Sequence, residues 1–334
     1  MRSCRLFALS LPLLVPGVAL AGDRSSPKDA LDGVHRIVFL GDSITYSGGY
    51  VEDLEAYLRL SVPSLRCEFL NLGLPSETVS GLSEPGHAGG SFPRPDLHER
   101  LDRVLKLTKP DLVVSMYGMN DGIYSPFSEP RFRAYQDGIA LLRAKAAAAG
   151  AKVLHLTPPV FDPVPLRGKT LPAGLTEYDK PYVGYDEVLD RYSGWLLDQK
   201  KAEGWDVVDV HGPMARFLAA RRERDPDYRL AGDGVHVNDT GHWIIAREVL
   251  AHWGVPAADL GDAEAGPERA FSAIPRGLDV LRLVGQRQRL LKDAWLSATG
   301  HKRPGMTPGL PLAEAETKAA VIDAAIRARF TTPP

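Results

Sequence analysis

The tightest constraint on this chain is the recurrence of short, unbroken apolar runs. They read "HRIVFL" (35–40), "LRCEFLNL" (65–72), "DLVVSMY" (111–117), "KVLHLT" (152–157) and "WDVVDV" (205–210). A strand with one wet face alternates apolar and polar residues; these runs do not, so they read as strands buried on both faces. Between them lie helical stretches such as "YVEDLEAYLRL", "DLHERLDRVLKL" and "RFRAYQDGIALLRAKAAAAG", the last closed by Gly150. Strands alternating with helices predict an α/β fold built on a doubly wound parallel sheet.

A length of 334 residues leaves room for a full core plus an appendage. The near balance of 40 basic and 42 acidic residues gives no electrostatic footprint for nucleic acid or an anionic membrane. The start, "MRSCRLFALSLPLLVPGVALAGD", has Arg2 and Arg5, then an apolar stretch, then Ala19-Leu20-Ala21 as a small-x-small cleavage pattern. Residues 1–21 therefore read as a cleavable signal peptide, and the protein as secreted or periplasmic. The apolar stretch is short and interrupted by Pro12 and Pro16, so no stable membrane span is expected in the mature chain. Removal of Cys4 with the signal leaves Cys67 alone, in an apolar run where a buried, inert thiol is expected.

Two internal segments break the strand–helix rhythm. "SGLSEPGHAGGSFPRP" (80–95) reads as a surface loop, and "PPVFDPVPLRGKTLPAGLTEYDKPYVGY" (158–185) as a long Pro-rich insertion of the kind that is functional or mobile. Residues 259–334 form a helical C-terminal extension. Its first helix carries Arg and Lys read as a solvated face. Its second repeats Leu312, Ala315, Ala319, Ile322, Ile326 and Phe330 at helical spacing, a stripe expected to pack back onto the domain.

In a doubly wound sheet, the loops after each strand emerge at the carboxyl edge, where such folds place ligands. Gly41-Asp42-Ser43 follows the first run, "NLGLPSET" (71–78) the second and "GMND" (118–121) the third. Ser43 alone fits either a helix cap or a nucleophile; convergence of these loops favours the nucleophile. A serine nucleophile needs a base, and the base an orienting group. "LAGDGVHVNDTGH" supplies Asp233 and His236 three residues apart, a spacing that sets a carboxylate beside one ring nitrogen and leaves the other for Ser43. Oxyanion donors are then expected from the Asn120 amide and from backbone N–H groups at Ser43 and in the 71–78 loop.

"GDSIT", "GMND" and "DGVH", in this order and at these distances, resemble the GDSL-type, or SGNH, hydrolase superfamily. Each motif is weak alone; the ordered set in strand–loop context is specific, and it covers residues 36 to about 250. The resemblance implies a three-layer α/β/α sandwich with a five-stranded parallel, flavodoxin-like sheet, in a hydrolase domain over residues 22–258. It implies Ser43 as nucleophile, His236 as base, Asp233 as the residue orienting it, and Ser43, Ser76 and Asn120 as oxyanion donors. The second block departs from the family pattern Asn-x-Gly-x-x-Gly: "NLGLPS" puts Ser76 where the family has its last glycine, with Gly73 as the fallback donor. Ile44 replaces the usual Leu.

Asp121 reads as turn chemistry, and His87, His98, His155, His211 and His301 as structural. The grouping of His236 and His242 with Asp233 and Asp239 matches no usual zinc spacing, so no metal or other cofactor is expected. No G-x-S-x-G elbow or P-loop appears. The polar loops at 80–95 and 158–185 and the signal peptide favour a carbohydrate O-acetylesterase acting on a small acyl ester or acetylated carbohydrate. The alternatives are a lipid or lysophospholipid esterase, an acyltransferase and a non-catalytic carbohydrate-binding module. The oligomeric state is not legible in the sequence.

Overall fold

The computed structural model describes residues 26–331, so the expected signal peptide lies outside the described residues. Each apolar run forms a strand: β1 (Arg36–Gly41), β2 (Glu68–Asn71), β3 (Leu112–Met116), β4 (Lys152–Leu156) and β5 (Asp206–Val208). All pair in parallel in one sheet of order β2-β1-β3-β4-β5. Ile37, Val38, Phe39 and Leu40 are completely buried, as are Val113 and Val114 beside them. Burial on both faces explains the missing alternation, and each such side chain contributes about 1.5–3 kcal/mol.

The helices are α1 (Pro27–Ala30), α2 (Ser43–Ser47), α3 (Gly49–Ser61), α4 (Leu97–Thr108), α5 (Glu129–Ala148), α6 (Tyr185–Glu203), α7 (His211–Arg222), α8 (Asp239–His252), α9 (Gly266–Ser272), α10 (Gly277–Thr299) and α11 (Leu312–Thr331). The chain leaves β1 toward β2 in one direction and returns past β1 to β3 in the other. Right-handed crossovers therefore set α3 on one face of the sheet and α4, α5 and α6 on the opposite face. The result is the expected α/β/α sandwich with a flavodoxin-like strand order. Among the described residues no helix is long and apolar enough to cross a membrane.

The C-terminal helices are bound into this frame. α10 packs on α3 and β2, and α11 packs chiefly on α10. Glu55 of α3 is fully buried, and receives Arg287 Nη1 at 3.3 Å and the side chain of Gln288. Asp323 of α11 bridges Arg59 (2.8 Å) and Arg287 (3.1 Å). The basic residues of α10 thus differ from the solvated face expected: Arg289 is exposed, but Arg287 is 5% exposed and pairs with two carboxylates. On α11, Ala315, Ala319 and Ile326 of the stripe are buried, whereas Phe330 remains exposed. Cys67 is half-buried rather than fully enclosed, and burial pushes its thiol up to about 12.

Candidate functional site

Strand order reverses between β1 and β3, which opens a crevice at their carboxyl ends. β1 stops at Gly41 because the chain passes too close there for a side chain: a Cβ would strike the Thr45 side chain and the Met116 carbonyl. Asp42 makes the turn and caps α2, its Oδ1 accepting the Ile44 N–H at 2.9 Å. Capping therefore falls to Asp42, and Ser43 is left with its side chain unclaimed by the helix. Burial raises the Asp42 carboxyl to about 7, against the pull of the Ile44 N–H.

From the far end of the chain, the loop before α8 brings His236 to Ser43. His236 Nε2 lies 2.8 Å from Ser43 Oγ, and His236 Nδ1 lies 2.6 Å from Asp233 Oδ2. The other Asp233 oxygen accepts the N–H groups of His236 (2.8 Å) and Val235 (3.0 Å), which locks the carboxylate and the ring in one turn. Burial opposes the Asp233 charge, but the hydrogen bonds from the His236 ring and these two N–H groups outweigh it and hold the carboxyl below its ordinary range. An ionised carboxylate only accepts, so Nδ1 carries the proton, and Nε2 presents its lone pair to the Ser43 hydroxyl. The loop is tied to the 158–185 insertion by Asp162, whose N–H donates to the Gly234 carbonyl at 2.9 Å.

Asn120, after β3, is 3% exposed. Its Oδ1 accepts from Arg94 Nη1 (2.9 Å) and the Tyr124 hydroxyl (3.1 Å), and its Nδ2 donates to the Glu77 carbonyl (3.2 Å). Two donors on the oxygen fix which way the amide faces, leaving one N–H of Nδ2 for another acceptor. Asp121 is fully buried and joins the two loops: its oxygens accept the N–H groups of Val79, Ser80 and Gly118, each at 2.9 Å.

In the 71–78 loop, Gly73 and Ser76 have different surroundings. The Gly73 N–H donates to Asn71 Oδ1 at 2.9 Å, and a Cβ at Gly73 would strike the backbone of Thr45 and Tyr46. Gly73 is a close-packing glycine whose donor is already used. Ser76 adopts φ +68°, the left-handed conformation that a glycine would occupy without strain. Below it, Glu77 is fully buried and takes two bonds from Arg100 (2.6 and 2.7 Å) and one from the Tyr117 hydroxyl (2.6 Å).

Sequence reasoning missed several residues around this crevice. Arg94, from the segment read only as a surface loop, is 8% exposed and held by Glu84 at 2.7 Å through both Nε and Nη2. The only sequence signal was its rigid Pro93-Arg94-Pro95 setting. Tyr124 touches Asn120 from the next turn, and its carbonyl accepts the Tyr182 N–H at 2.8 Å, pinning the insertion's end. The extension also arrives here: Lys292 donates to the Tyr46 carbonyl (2.8 Å), and Arg303 Nε donates to the Pro75 carbonyl (3.0 Å). His242 stays out of the crevice, with Nε2 3.0 Å from Ser47 Oγ and its ring stacked on Tyr50. Burial, and then the nearby His236, lower it to about 4. Among the described residues no group of three or more His, Cys, Asp or Glu side chains is arranged to hold a metal ion.

No curated protein sequence matches the chain. Among solved structures, it is similar to BT4096, a gut microbial diltiazem-metabolizing enzyme, at 18% identity and a TM-score of 0.47. That match covers 66% of this chain and 47% of the other, so the chain spans about half the length of that relative. It is also similar to Axe2, an acetylxylan esterase from Geobacillus stearothermophilus, at 21% identity and a TM-score of 0.49, covering 67% of this chain and 95% of Axe2. The model of the GDSL-like Lipase/Acylhydrolase family matches residues 39–244, a span that contains Ser43, the 71–78 loop, Asn120, Asp233 and His236, and the chain belongs to that family.

Proposed function

We propose that the chain cleaves carboxylic esters through an acyl-enzyme on Ser43, and that its substrate is an O-acetylated carbohydrate. The observation that carries this reading is the unbroken line Ser43 Oγ–His236–Asp233, with contacts of 2.8 and 2.6 Å. His236 Nε2 takes the Ser43 proton as Oγ attacks the ester carbonyl; Asp233 holds the ring and offsets its new charge. The oxyanion is received by the N–H groups of Ser43 and Ser76 and by Asn120 Nδ2. His236 returns the proton to the leaving alcohol, and water repeats the sequence to free the acid. Export from the cytoplasm belongs to the same reading and rests on the signal-like N-terminus.

Two features favour a bulky, polar alcohol. The His236 and Asp233 side chains are 51% and 57% exposed, so the base stands on an open surface rather than in a tunnel. The surroundings of Asn120 are polar, with Arg94, paired to Glu84, and Tyr124 both bonded to its amide. A second reading, a lipid or lysophospholipid esterase, is favoured by Val164, Leu175 and Val183, exposed apolar side chains on the 158–185 insertion.

Ser43→Ala is expected to abolish turnover of p-nitrophenyl acetate and labelling by a serine-reactive phosphonate, with the thermal midpoint unchanged. Full activity in that variant would end the reading. Acetate release from acetylated polysaccharides, set beside esters of graded chain length, decides the substrate: a preference for octanoyl or longer esters selects the lipid reading.

A further inference from the structure

Ser76 occupies the position at which this chain departs from the family pattern, and the peptide leading into it is touched by a segment outside the span that matches the family. Leu74, Pro75, Ser76 and Glu77 form a β-turn, closed by the Glu77 N–H donating to the Leu74 carbonyl at 3.1 Å. Proline at the second position excludes a turn that needs positive φ there, and φ +68° at Ser76 excludes type I. The turn is therefore type II, the form that calls for glycine at its third position. With serine there, the competing type I turn is relieved of the Cβ penalty. The two forms differ by a flip of a single peptide plane, the one joining Pro75 to Ser76.

That plane carries the Pro75 carbonyl on one edge and the Ser76 N–H on the other, pointing in opposite directions. The carbonyl edge is gripped by the C-terminal extension: Arg303, between α10 and α11, donates from Nε to Pro75 O at 3.0 Å. Its Nη1 donates to the Pro304 carbonyl at 3.0 Å, and its guanidinium lies over the Phe92 ring, 5.4 Å from the centroid. Among the described residues Arg303 makes no ion pair with a carboxylate; its guanidinium donates to the backbone carbonyls of Pro75 and Pro304.

We infer that Arg303 is a positioning residue of the ester-cleaving site: by holding the Pro75 carbonyl outward it selects the type II turn and aims the Ser76 N–H at the developing oxyanion. The inference rests on the proposed role of Ser43 and assigns the C-terminal extension a part in catalysis. A charge-assisted hydrogen bond from a partly enclosed guanidinium is a strong enough restraint to set which of two turn forms is populated.

The test is kinetic, on the full chain, with p-nitrophenyl acetate as substrate. Arg303→Ala is expected to lower kcat by about 10–100-fold, less than the roughly 10²–10³-fold for outright loss of an oxyanion donor because the Ser76 N–H is mis-aimed rather than removed, with KM within about twofold. Adding Ser76→Gly to Arg303→Ala should restore most of kcat, because glycine holds the left-handed conformation without a clamp. Arg303→Lys, which keeps one donor, should fall between. A role in packing alone predicts no recovery of kcat in the double variant, because relief of backbone strain at Ser76 replaces none of the contacts that Arg303 made. The inference is overturned if Arg303→Ala keeps kcat within about twofold, or if the double variant is as slow as the single one. Activity surviving in Ser43→Ala would instead overturn the proposed function, so the two failures are distinguishable.

Discussion

Asn120 carries a donor and an acceptor on one planar group, and its use depends on which faces the crevice. Arg94 and Tyr124 both donate to Oδ1, so the amide cannot turn over without stranding two buried donors. Asn120→Ala is expected to lower kcat/KM about 10²–10³-fold on an activated acetate ester. Arg94→Met removes one of the two donors that hold the amide and leaves Tyr124 on it, and should give a smaller loss, carried in kcat. Losses below threefold for Asn120→Ala would remove the amide from the oxyanion site. At this scale, the contact of Asp233 with His236 was legible because three residues separate them, and the place of Ser43 because an apolar run stops just before it. Arg94 was not, because a buried arginine in a Gly- and Pro-rich loop has no periodicity and acts only through a partner 26 residues away.

The 72–78 loop shows what an element needs beneath it before its backbone can be aimed. Glu77 and Arg100 are each at most 1% exposed, and Arg100 also donates to the Leu72 carbonyl at 2.7 Å, so the pair braces both ends of the loop. Arg100→Leu leaves a buried carboxylate without its cation, and should cost about 3–5 kcal/mol in urea unfolding. Replacing Glu77 and Arg100 together with apolar residues should cost less than the single change, which a double-mutant cycle measures. The strands and the helices of the sandwich were legible as elements because burial writes apolar runs and helical stripes into the chain. The insertion at 158–185 was legible only as an interruption. Its ordering combines backbone bonds to Tyr124 and Gly234, made by groups that every residue possesses, with side-chain bonds to partners distant in sequence, such as Arg222 on Asp162 at 2.6 Å. The polarity of α10 pointed to solvent because Glu55, which buries Arg287, lies on a helix distant in sequence.

For the molecule as a whole, buried titratable groups set opposing dependences on pH. His242 sits at about 4 because burial disfavours its cation, so between about pH 6.5 and 4 the unfolded chain binds a proton the folded one refuses. Its contribution is present above pH 6.5 and lost as the pH falls toward 4, by about 3 kcal/mol at 1.36 kcal/mol per unit. Asp42 runs the other way: its folded carboxyl keeps a proton up to about 7, while the unfolded one releases it near 3.8. Its contribution is present below pH 3.8 and lost as the pH rises toward 7. In unfolding titrations from pH 4 to 7.5, His242→Gln should flatten the acid limb relative to the parent. Asp42→Asn, which keeps the capping oxygen, should raise stability most near neutrality. Unchanged profiles would mean that neither group is shielded as its burial implies.

β2 is the outermost strand on its side of the sheet, and α10 lies along it. Gln288, buried on α10, donates from Nε2 to the Phe69 carbonyl at 3.0 Å, occupying an acceptor that, among the described residues, no sixth strand meets. An uncovered strand margin is a template on which a second chain can add its own strand. The C-terminal helices therefore cover the margin on which such an addition would start. A chain cut back to the α/β sandwich would be expected to seed ordered aggregates through β2, and a longer soluble lifetime would follow from strengthening the contact at Gln288.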